Sequence, residues 1–336
     1  MRITREMMLK VANDAVARQS RASRSLLAAY LCGSLLEEDY LLGGTGDIDL
    51  VYVYTEPVTA PREIVRLTDE VHLDIAHHYQ KDYRDTRALR EHPWLGPALI
   101  SCRILYDPQH FMDFTQASVR GQFDRPDHVF KRARQQADQA RSIWLSYHVS
   151  PVHPQPEDIQ AYLLALNYAA NAVASISGPP LTDRRFLLHF PGRADAVGRS
   201  GLYAGLLGLL GASNLPEPAL SEWLPQWQAA YQAVPAAQVP MRLHPSRLAY
   251  YASAITALGA GPQPETALWL LLRTWTIAAG LWPADSHERR AWHQACDQLD
   301  LVGPSFAERI QALDAYLDGI EETLEVWARA NGAWEG

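Results

Sequence analysis

The chain has 336 residues, 48% of them hydrophobic and 20% charged, with ten tryptophans, a composition that excludes a disordered protein. Its length exceeds what one hydrophobic core usually organises, at roughly 100 to 200 residues per domain, so we expect two domains, at 1–115 and 116–336. The formal charge of -8 makes long nucleic acid an unlikely partner, because such binding depends largely on Lys and Arg.

The first 110 residues carry the patterns of a small mixed sheet with flanking helices. Hydrophobic spacing predicts, in chain order, a helix at 4–20, a buried strand at 26–32, a second strand at 48–54, a linking helix within PREIVRLTDEV, an alternating strand at 71–77 and a short strand at 102–106. In the alternating strand, Val71, Leu73 and Ile75 point to one face, while His72, Asp74 and Ala76 point to the other.

From about residue 110 onward, helical periods follow without a further alternating segment. A helix is predicted at 127–147, and a closing helix carries Leu313, Leu317, Ile320, Leu324 and Trp327 on one side. The predicted fold class is therefore α+β, with a small mixed β-sheet domain followed by an all-α helical domain.

The segment LCGSLLEEDYLLGGTGDIDLVYVY contains Gly33-Ser34 after a strand and Asp47-Ile48-Asp49 at the start of the next. Residues two apart on a strand share a face, so Asp47 and Asp49 present neighbouring carboxylates. Two such charges are costly unless a cation neutralises them. Mg²⁺ fits, since it prefers oxygen ligands and is typically held by one or two carboxylates with substrate phosphates.

Asp74 on a neighbouring strand can supply a third carboxylate, and three carboxylates can seat two metals about 3.5 to 4 Å apart, as in phosphoryl chemistry. A glycine at Gly33 lets the backbone approach a phosphate, and the turn with the Ser34 hydroxyl can hold a triphosphate. Pyrophosphate would then leave as an acceptor hydroxyl attacks the α-phosphorus, with Asp74 placed to help deprotonate it.

A hydrophobic strand, Gly-Ser, about a dozen residues, Asp-x-Asp and a later strand aspartate together resemble the DNA polymerase β-like nucleotidyltransferase superfamily, over residues 25–106. The resemblance implies that Asp47, Asp49 and Asp74 bind metal and that Gly33 and Ser34 bind the nucleotide phosphates. A nucleotidyltransferase domain followed by a helical domain is also similar in layout to the aminoglycoside nucleotidyltransferases, whose helical part helps to bind the acceptor. That second likeness transfers no residue.

The chain departs from the superfamily at two places. Many members carry a basic residue shortly after Gly-Ser, whereas here Glu37, Glu38 and Asp39 follow. Either this acidic loop turns to solvent, or nucleotide binding is weakened or lost. Gly46 also stands where a serine often precedes the Asp-x-Asp.

Other polar residues have two interpretations each. His72, His77 and His78 match no zinc motif, and His72 could contact the acceptor or lie at a strand edge. The arginines of the helix at 127–147 could reach phosphates, although a solvated face is favoured: Arg132, Arg134 and Arg141. A third set could line a cleft or form structural ion pairs: Arg242, His244, Arg247 and Arg273.

The sequence thus predicts a Mg²⁺-dependent enzyme that moves a nucleoside monophosphate from an NTP, with ATP first, to a small-molecule hydroxyl. A protein-modifying, adenylylating transferase and a non-catalytic nucleotide-binding protein are the alternatives.

Since there is neither an apolar run of about 18 residues nor a signal peptide, we predict a cytoplasmic protein without membrane contact. Cys32, Cys102 and Cys296 are far apart, which favours buried free thiols over disulfides or zinc ligands.

Overall fold

The computed structural model describes residues 3–148, 154–215, 219–235, 237 and 239–333. The chain divides into two units, Met1–Arg125 and Pro126–Gly336. The boundary predicted after residue 115 falls inside helix α4 (Phe111–Arg120), whose Met112 and Val119 are fully buried in a core of the first unit. The first unit therefore includes all of this helix and continues to Arg125.

The first unit is built on a five-stranded mixed sheet. Its strands are β1 (Leu26–Cys32), β2 (Gly46–Tyr54), β3 (Arg62–Arg66), β4 (Val71–Tyr79) and β5 (Arg103–Tyr106). Their order in the sheet is β3-β4-β2-β1-β5. Strand β1 pairs antiparallel with β2 and β5, β2 runs parallel to β4, and β3 runs antiparallel to β4. The four predicted strands are confirmed.

The helix predicted within PREIVRLTDEV is wrong, because these residues form β3 at the edge of the sheet. The side chain of Thr68 accepts the backbone N–H groups of Glu70 and Val71, at 3.2 and 3.1 Å, and so closes a turn that leads directly into β4. The neighbouring Ile64 and Val65 are β-branched, which suits a strand. The turn and these side chains outweigh the helical start suggested by Pro61.

Both faces of the sheet are covered. The predicted first helix is confirmed as α1 (Arg5–Ala22), which begins where the Thr4 side chain accepts the Met7 N–H at 3.3 Å. Its buried side packs on the face of the sheet that carries Ile48 and Leu73. The opposite face packs against α2 (Thr86–Glu91), α3 (Leu95–Ser101) and α4.

The described part of the second unit consists of helices, short 3₁₀ turns and loops, as predicted. The helix predicted at 127–147 is found at Pro126–Ser146, and the closing helix buries four of the five predicted apolar residues, while Trp327 is half-buried. Its helices are α5 (Pro126–Ser146), α6 (Pro156–Ser177), α7 (Phe186–Ala196), α8 (Gly201–Leu209), α9 (Ala219–Gln232), α10 (Leu248–Gly259), α11 (Ala267–Gly280), α12 (His287–Gln298) and α13 (Ser305–Ala330).

The core of the second unit is rich in tryptophan. Trp227 donates from its indole Nε1 to the hydroxyl of Thr274 at 2.9 Å, and Trp292 donates to the hydroxyl of Thr276 at 3.0 Å. These bonds satisfy two indole N–H groups that burial would otherwise leave without partners. Within the described residues, no helix combines the length and apolar character needed to cross a membrane.

Two of the α5 arginines form ion pairs within the second unit. Arg141 binds three carboxylates of α13, at 2.6 Å to Asp314, 2.6 Å to Asp318 and 2.9 Å to Glu321. Arg134 pairs with Asp138 one turn along its own helix, at 2.8 Å. The prediction that these arginines lie on a solvated face is wrong for Arg132, which is buried.

Candidate functional site

The three predicted carboxylates lie on one face of the sheet. In the parallel pairing of β2 with β4, Asp49 stands beside Asp74 and Asp47 stands beside His72. Residues paired across two strands project to the same side, and neighbouring strands are about 4.8 Å apart. Asp47 and Asp49 are half-buried, whereas the Asp74 side chain is only 1% exposed. The sequence pattern therefore predicted that these three aspartates share a face, but it did not predict that Asp74 is buried.

Gly33 lies directly against the Asp49 carboxylate. Its φ of 77° and ψ of -167° belong to a region that is nearly restricted to glycine. A Cβ atom added at Gly33 would lie 2.0 Å from the Asp49 Oδ2 atom. The residue before it, Cys32, pairs with Asp49 across β1 and β2. The predicted phosphate turn and the acidic pair are therefore neighbours.

Ser34 begins a single 3₁₀ turn, Ser34–Leu36, directly after Gly33. Its hydroxyl donates to the carbonyl oxygen of Tyr40 at 3.4 Å, and its carbonyl accepts the Glu37 N–H at 2.8 Å. In this structure Ser34 thus holds the following loop in place.

The acidic loop after Ser34 is turned to solvent, since Glu37, Glu38 and Asp39 are all exposed. Arg5 of α1 donates to the Glu38 carbonyl oxygen at 3.2 Å, and its guanidinium lies 5.0 Å from the centre of the Tyr40 ring. A basic side chain, that of Arg5, therefore lies beside the acidic loop, although the residues that follow Gly33-Ser34 are acidic. The loop sequence alone does not reveal Arg5, because this residue belongs to a different element, far along the chain.

The second departure, Gly46, has a packing reason. A Cβ atom at this position would lie 3.0 Å from Leu41 Cδ2 and 3.3 Å from Met8 Cε. The start of β2 thus packs closely against α1 and the preceding loop, where a larger residue would force its neighbours apart.

Asp74 is held by an arginine that sequence analysis also missed. Arg62 of β3 donates from Nε to Asp74 Oδ1 and forms an ion pair with it, although the Arg62 side chain is itself 44% exposed. In the pairing of β3 with β4, Ile64 stands beside Asp74, so Arg62 lies two residues away on the same face. The alternation of 62, 64 and 66 would have revealed this contact had the segment been interpreted as a strand.

The predicted three-carboxylate metal set is not assembled. Among the described residues, no three His, Cys, Asp or Glu side chains converge into a group that could hold a metal ion. The ion pair with Arg62 occupies one oxygen of Asp74, which gives a physical reason. Mg²⁺ commonly uses only one or two protein carboxylates with water and substrate phosphates, a smaller set that Asp47 and Asp49 fit.

The histidines of β4 do not form a common site. The Nδ1 atom of His77 lies 3.1 Å from the Tyr54 hydroxyl, and Nδ1 of His78 lies 2.5 Å from the Tyr83 hydroxyl. These adjacent residues project to opposite faces of the strand. Burial lowers the pKa of both imidazoles, which keeps them neutral near pH 7. His72 is buried on the aspartate face, not at an open strand edge.

We expect replacement of Gly33 by Ala to destabilise the first unit and displace the Asp49 carboxylate. The backbone conformation alone costs about 1 to 3 kcal/mol for a residue with a Cβ, and the Asp49 contact adds to this cost. Gly44 is a matched control, because it has φ +76° but no atom within 4 Å of an added Cβ. Thermal unfolding of the two variants measures the difference. Equal destabilisation by Gly33→Ala and Gly44→Ala would show that contact with Asp49 is unimportant.

We expect all three cysteines to react slowly with a thiol reagent at pH 7.5 in the folded protein. Each is a free thiol. Burial raises the pKa of Cys102 to about 11 and also raises the pKa values of Cys32 and Cys296, with the charge of Asp49 adding to the effect at Cys32. Since the thiolate is the reactive form, little of it is present at this pH. Reaction with an aromatic disulfide reagent, before and after unfolding in urea, checks this; rapid reaction of the native protein would contradict it.

Neither a comparison with protein-family models nor a search of curated proteins gives a match to this chain. The residues and their geometry therefore carry the functional argument.

Proposed function

We propose that the first unit is a Mg²⁺-dependent nucleotidyltransferase, which moves a nucleoside monophosphate from an NTP to a hydroxyl group of a small molecule. The observation that carries this proposal is the contact of the Gly33 turn with Asp49, which itself stands beside Asp74. A turn without side-chain bulk next to paired carboxylates is suited to a triphosphate and the cation that neutralises it. We take ATP as the first NTP to test.

In this proposal, Asp47 and Asp49 hold Mg²⁺ together with phosphate oxygens, and the backbone at Gly33-Ser34 positions the triphosphate. The cation supplies charge neutralisation at the reacting phosphoryl group. Arg62 neutralises Asp74 while the site is empty of substrate. Asp74 joins the site when Arg62 moves away, a movement helped by the large solvent exposure of the Arg62 side chain.

The transfer itself forms one bond and breaks one. The acceptor oxygen forms a bond to the α-phosphorus, the bond from that phosphorus to the bridging oxygen of the β-phosphate breaks, and pyrophosphate leaves with the electron pair. The hydroxyl proton passes to a base, for which Asp74 is our candidate. Positioning and electrostatic stabilisation supply most of the catalysis in such reactions.

A non-catalytic nucleotide-binding protein is the second candidate. The observation that favours it is the Arg62–Asp74 ion pair, which withholds the third carboxylate from a metal. In that case the chain would bind an NTP with Mg²⁺ but would never release pyrophosphate.

The test is transfer of label from ATP labelled on its α-phosphate, with Mg²⁺ and either a pool of hydroxylated metabolites or a pool of proteins. We expect labelled small molecules and an equal amount of pyrophosphate. Label on a protein would assign the acceptor to the protein-modifying alternative. If none of the four NTPs yields label or pyrophosphate with either pool, the transferase proposal fails. Persistent Mg²⁺-dependent binding would then support the non-catalytic candidate.

A further inference from the structure

The second unit contains a group of arginines that the proposed transferase reaction does not use. Three of the four residues that the sequence marked for a cleft or for ion pairs belong to it. The arginine cluster consists of Asp183, Arg184, Arg242, Arg247 and Arg273, from the 3₁₀ turns Asp183–Arg185, Met241–Leu243 and Pro245–Arg247 and from helix α11. Helix α11 contacts the first two of these turns directly.

Of the two predicted roles, lining a cleft or forming a structural ion pair, Arg242 has the second, because it forms an ion pair with Asp183. Both side chains are partly exposed, at 34% and 26%. This carboxylate is shared: Asp183 also acts electrostatically on Arg273, as does the positive charge of Arg242. Two arginines therefore depend on one aspartate.

Arg273 differs from Arg242 in its contacts. The residue is only 7% exposed, yet its Nε atom has no hydrogen-bond partner and its guanidinium no ion pair among the described residues. Burial lowers its pKa to about 10, which still leaves it charged near pH 7. A buried cation that has no hydrogen bond at Nε and shares its nearby carboxylate with a second arginine is unfavourable. Such a group needs an explanation, and a bound anion is the one that suits a charged guanidinium.

Arg273 lies near aromatic side chains, since Trp269 and Tyr251 both interact with it, and two further arginines contact the neighbouring tyrosine pair. The Arg273 guanidinium lies 5.5 Å from the centre of the Trp269 ring. Arg184 lies 3.6 Å from the centre of the Tyr250 ring, and Arg247 donates to the Tyr251 hydroxyl at 3.0 Å. Tyr250 and Tyr251 are themselves in contact, with ring centres 5.4 Å apart. Cations held among aromatic rings suit an organic molecule that carries an anionic group.

We propose that the arginine cluster binds the phosphate or carboxylate group of a small organic molecule, with Arg273 as the residue that contacts the anion. The planar guanidinium can donate two parallel hydrogen bonds to either kind of oxyanion. Because Arg242 and Arg273 share only Asp183, a bound anion supplies the missing negative charge. All these residues belong to the second unit, so the proposal does not depend on the transferase function.

The test compares thermal unfolding of the full chain in inorganic phosphate, glycerol phosphate and acetate with unfolding in sodium chloride of equal ionic strength. We expect phosphates or acetate to raise the unfolding temperature more than chloride does, and the more effective class identifies the ligand group. The apparent Kd of the more effective anion is obtained from the dependence of the unfolding temperature on its concentration. This Kd should rise at least tenfold in Arg273→Met, and its value in Arg273→Lys should lie between those of Arg273→Met and the wild type. Arg134→Met, an exposed arginine of the same unit, and Asp49→Asn should both bind as the wild type does.

Without added anion, Arg273→Met should unfold at the same temperature as the wild type or higher, because it removes a buried charge that only a shared carboxylate offsets. A lower unfolding temperature, or failure to fold, would mark Arg273 as structural and overturn the proposal. No stabilisation beyond that of chloride would also overturn it. So would binding that is unchanged in Arg273→Met, since that result places the anion away from Arg273.

Discussion

Replacing Asp49 with Asn should lower the rate of pyrophosphate release by about 10³-fold or more while leaving the fold intact. Asn keeps the size of the side chain and its place beside Gly33, but it removes the charge that would hold Mg²⁺. Loss of metal-assisted charge neutralisation is worth several kcal/mol, and about 4 kcal/mol corresponds to a thousandfold change in rate. The measurement is steady-state pyrophosphate release from MgATP, once an acceptor is found.

The control for this prediction is Asp14→Asn. Asp14 is an exposed residue of α1 that pairs with Lys10 one turn away, at 3.2 Å. An exposed pair of this kind contributes little to stability, so this variant should keep full activity. If Asp49→Asn retained more than about a tenth of the wild-type rate, a loss of less than about 1.4 kcal/mol, Asp49 would not be a metal ligand.

Replacing Arg62 with Met should destabilise the first unit by about 2 to 3 kcal/mol. The substitution removes the ion pair that Arg62 forms with the buried Asp74 carboxylate. Breaking a wholly buried pair costs about 3 to 5 kcal/mol, and the 44% exposure of the Arg62 side chain reduces the expected value. Amide hydrogen exchange in β4, followed by mass spectrometry, measures this local stability without interference from the second unit.

Arg66→Met is the matched control, because Arg66 lies on the same strand and face but pairs with an exposed carboxylate, that of Asp69. It should change stability by no more than about 0.5 kcal/mol. The double variant Arg62→Met/Asp74→Asn should recover part of the loss, since it removes the stranded charge. Equal effects of Arg62→Met and Arg66→Met would show that the Arg62–Asp74 pair contributes no more to stability than the exposed Arg66–Asp69 pair.

Much of the first unit could be predicted from the sequence because its strands carry clear local signals. The continuous apolar run of β1 and the alternation of β4 predict both strands and which face each residue occupies. The grouping of Asp47, Asp49 and Asp74 followed from the same periodicity. This grouping needed only the assumption that the strands are neighbours, and the pairing of β2 with β4 meets it.

What could not be predicted depends on contacts between distant residues. The Arg62–Asp74 pair required the hairpin of β3 and β4, which the helical start at Pro61 concealed. The contact of Gly33 with Asp49 depends on a backbone conformation that no spacing reveals. The proximity of Arg5 to the acidic loop likewise requires α1 to be placed on the sheet.

In the second unit, the sequence could mark polar residues within apolar surroundings but could not assign their partners. Arg242 and Arg273 looked alike on that basis. Tertiary structure separates them, because only Arg242 directly meets Asp183, while Arg273 is buried over Trp269. Whether an arginine is structural or binds a ligand is therefore decided by the partner it meets in the fold.

The central claim is that the paired aspartates beside Gly33 bind a nucleotide through Mg²⁺. Thermal unfolding with each NTP, with and without Mg²⁺, tests it most directly on the wild type and Asp49→Asn. At a hundredfold excess of nucleotide over its Kd, we predict about 2.7 kcal/mol of added stability for the wild type with Mg²⁺. The effect should be absent without the metal and absent in Asp49→Asn. Stabilisation that is independent of Mg²⁺, unchanged in Asp49→Asn or missing for every NTP would contradict the claim.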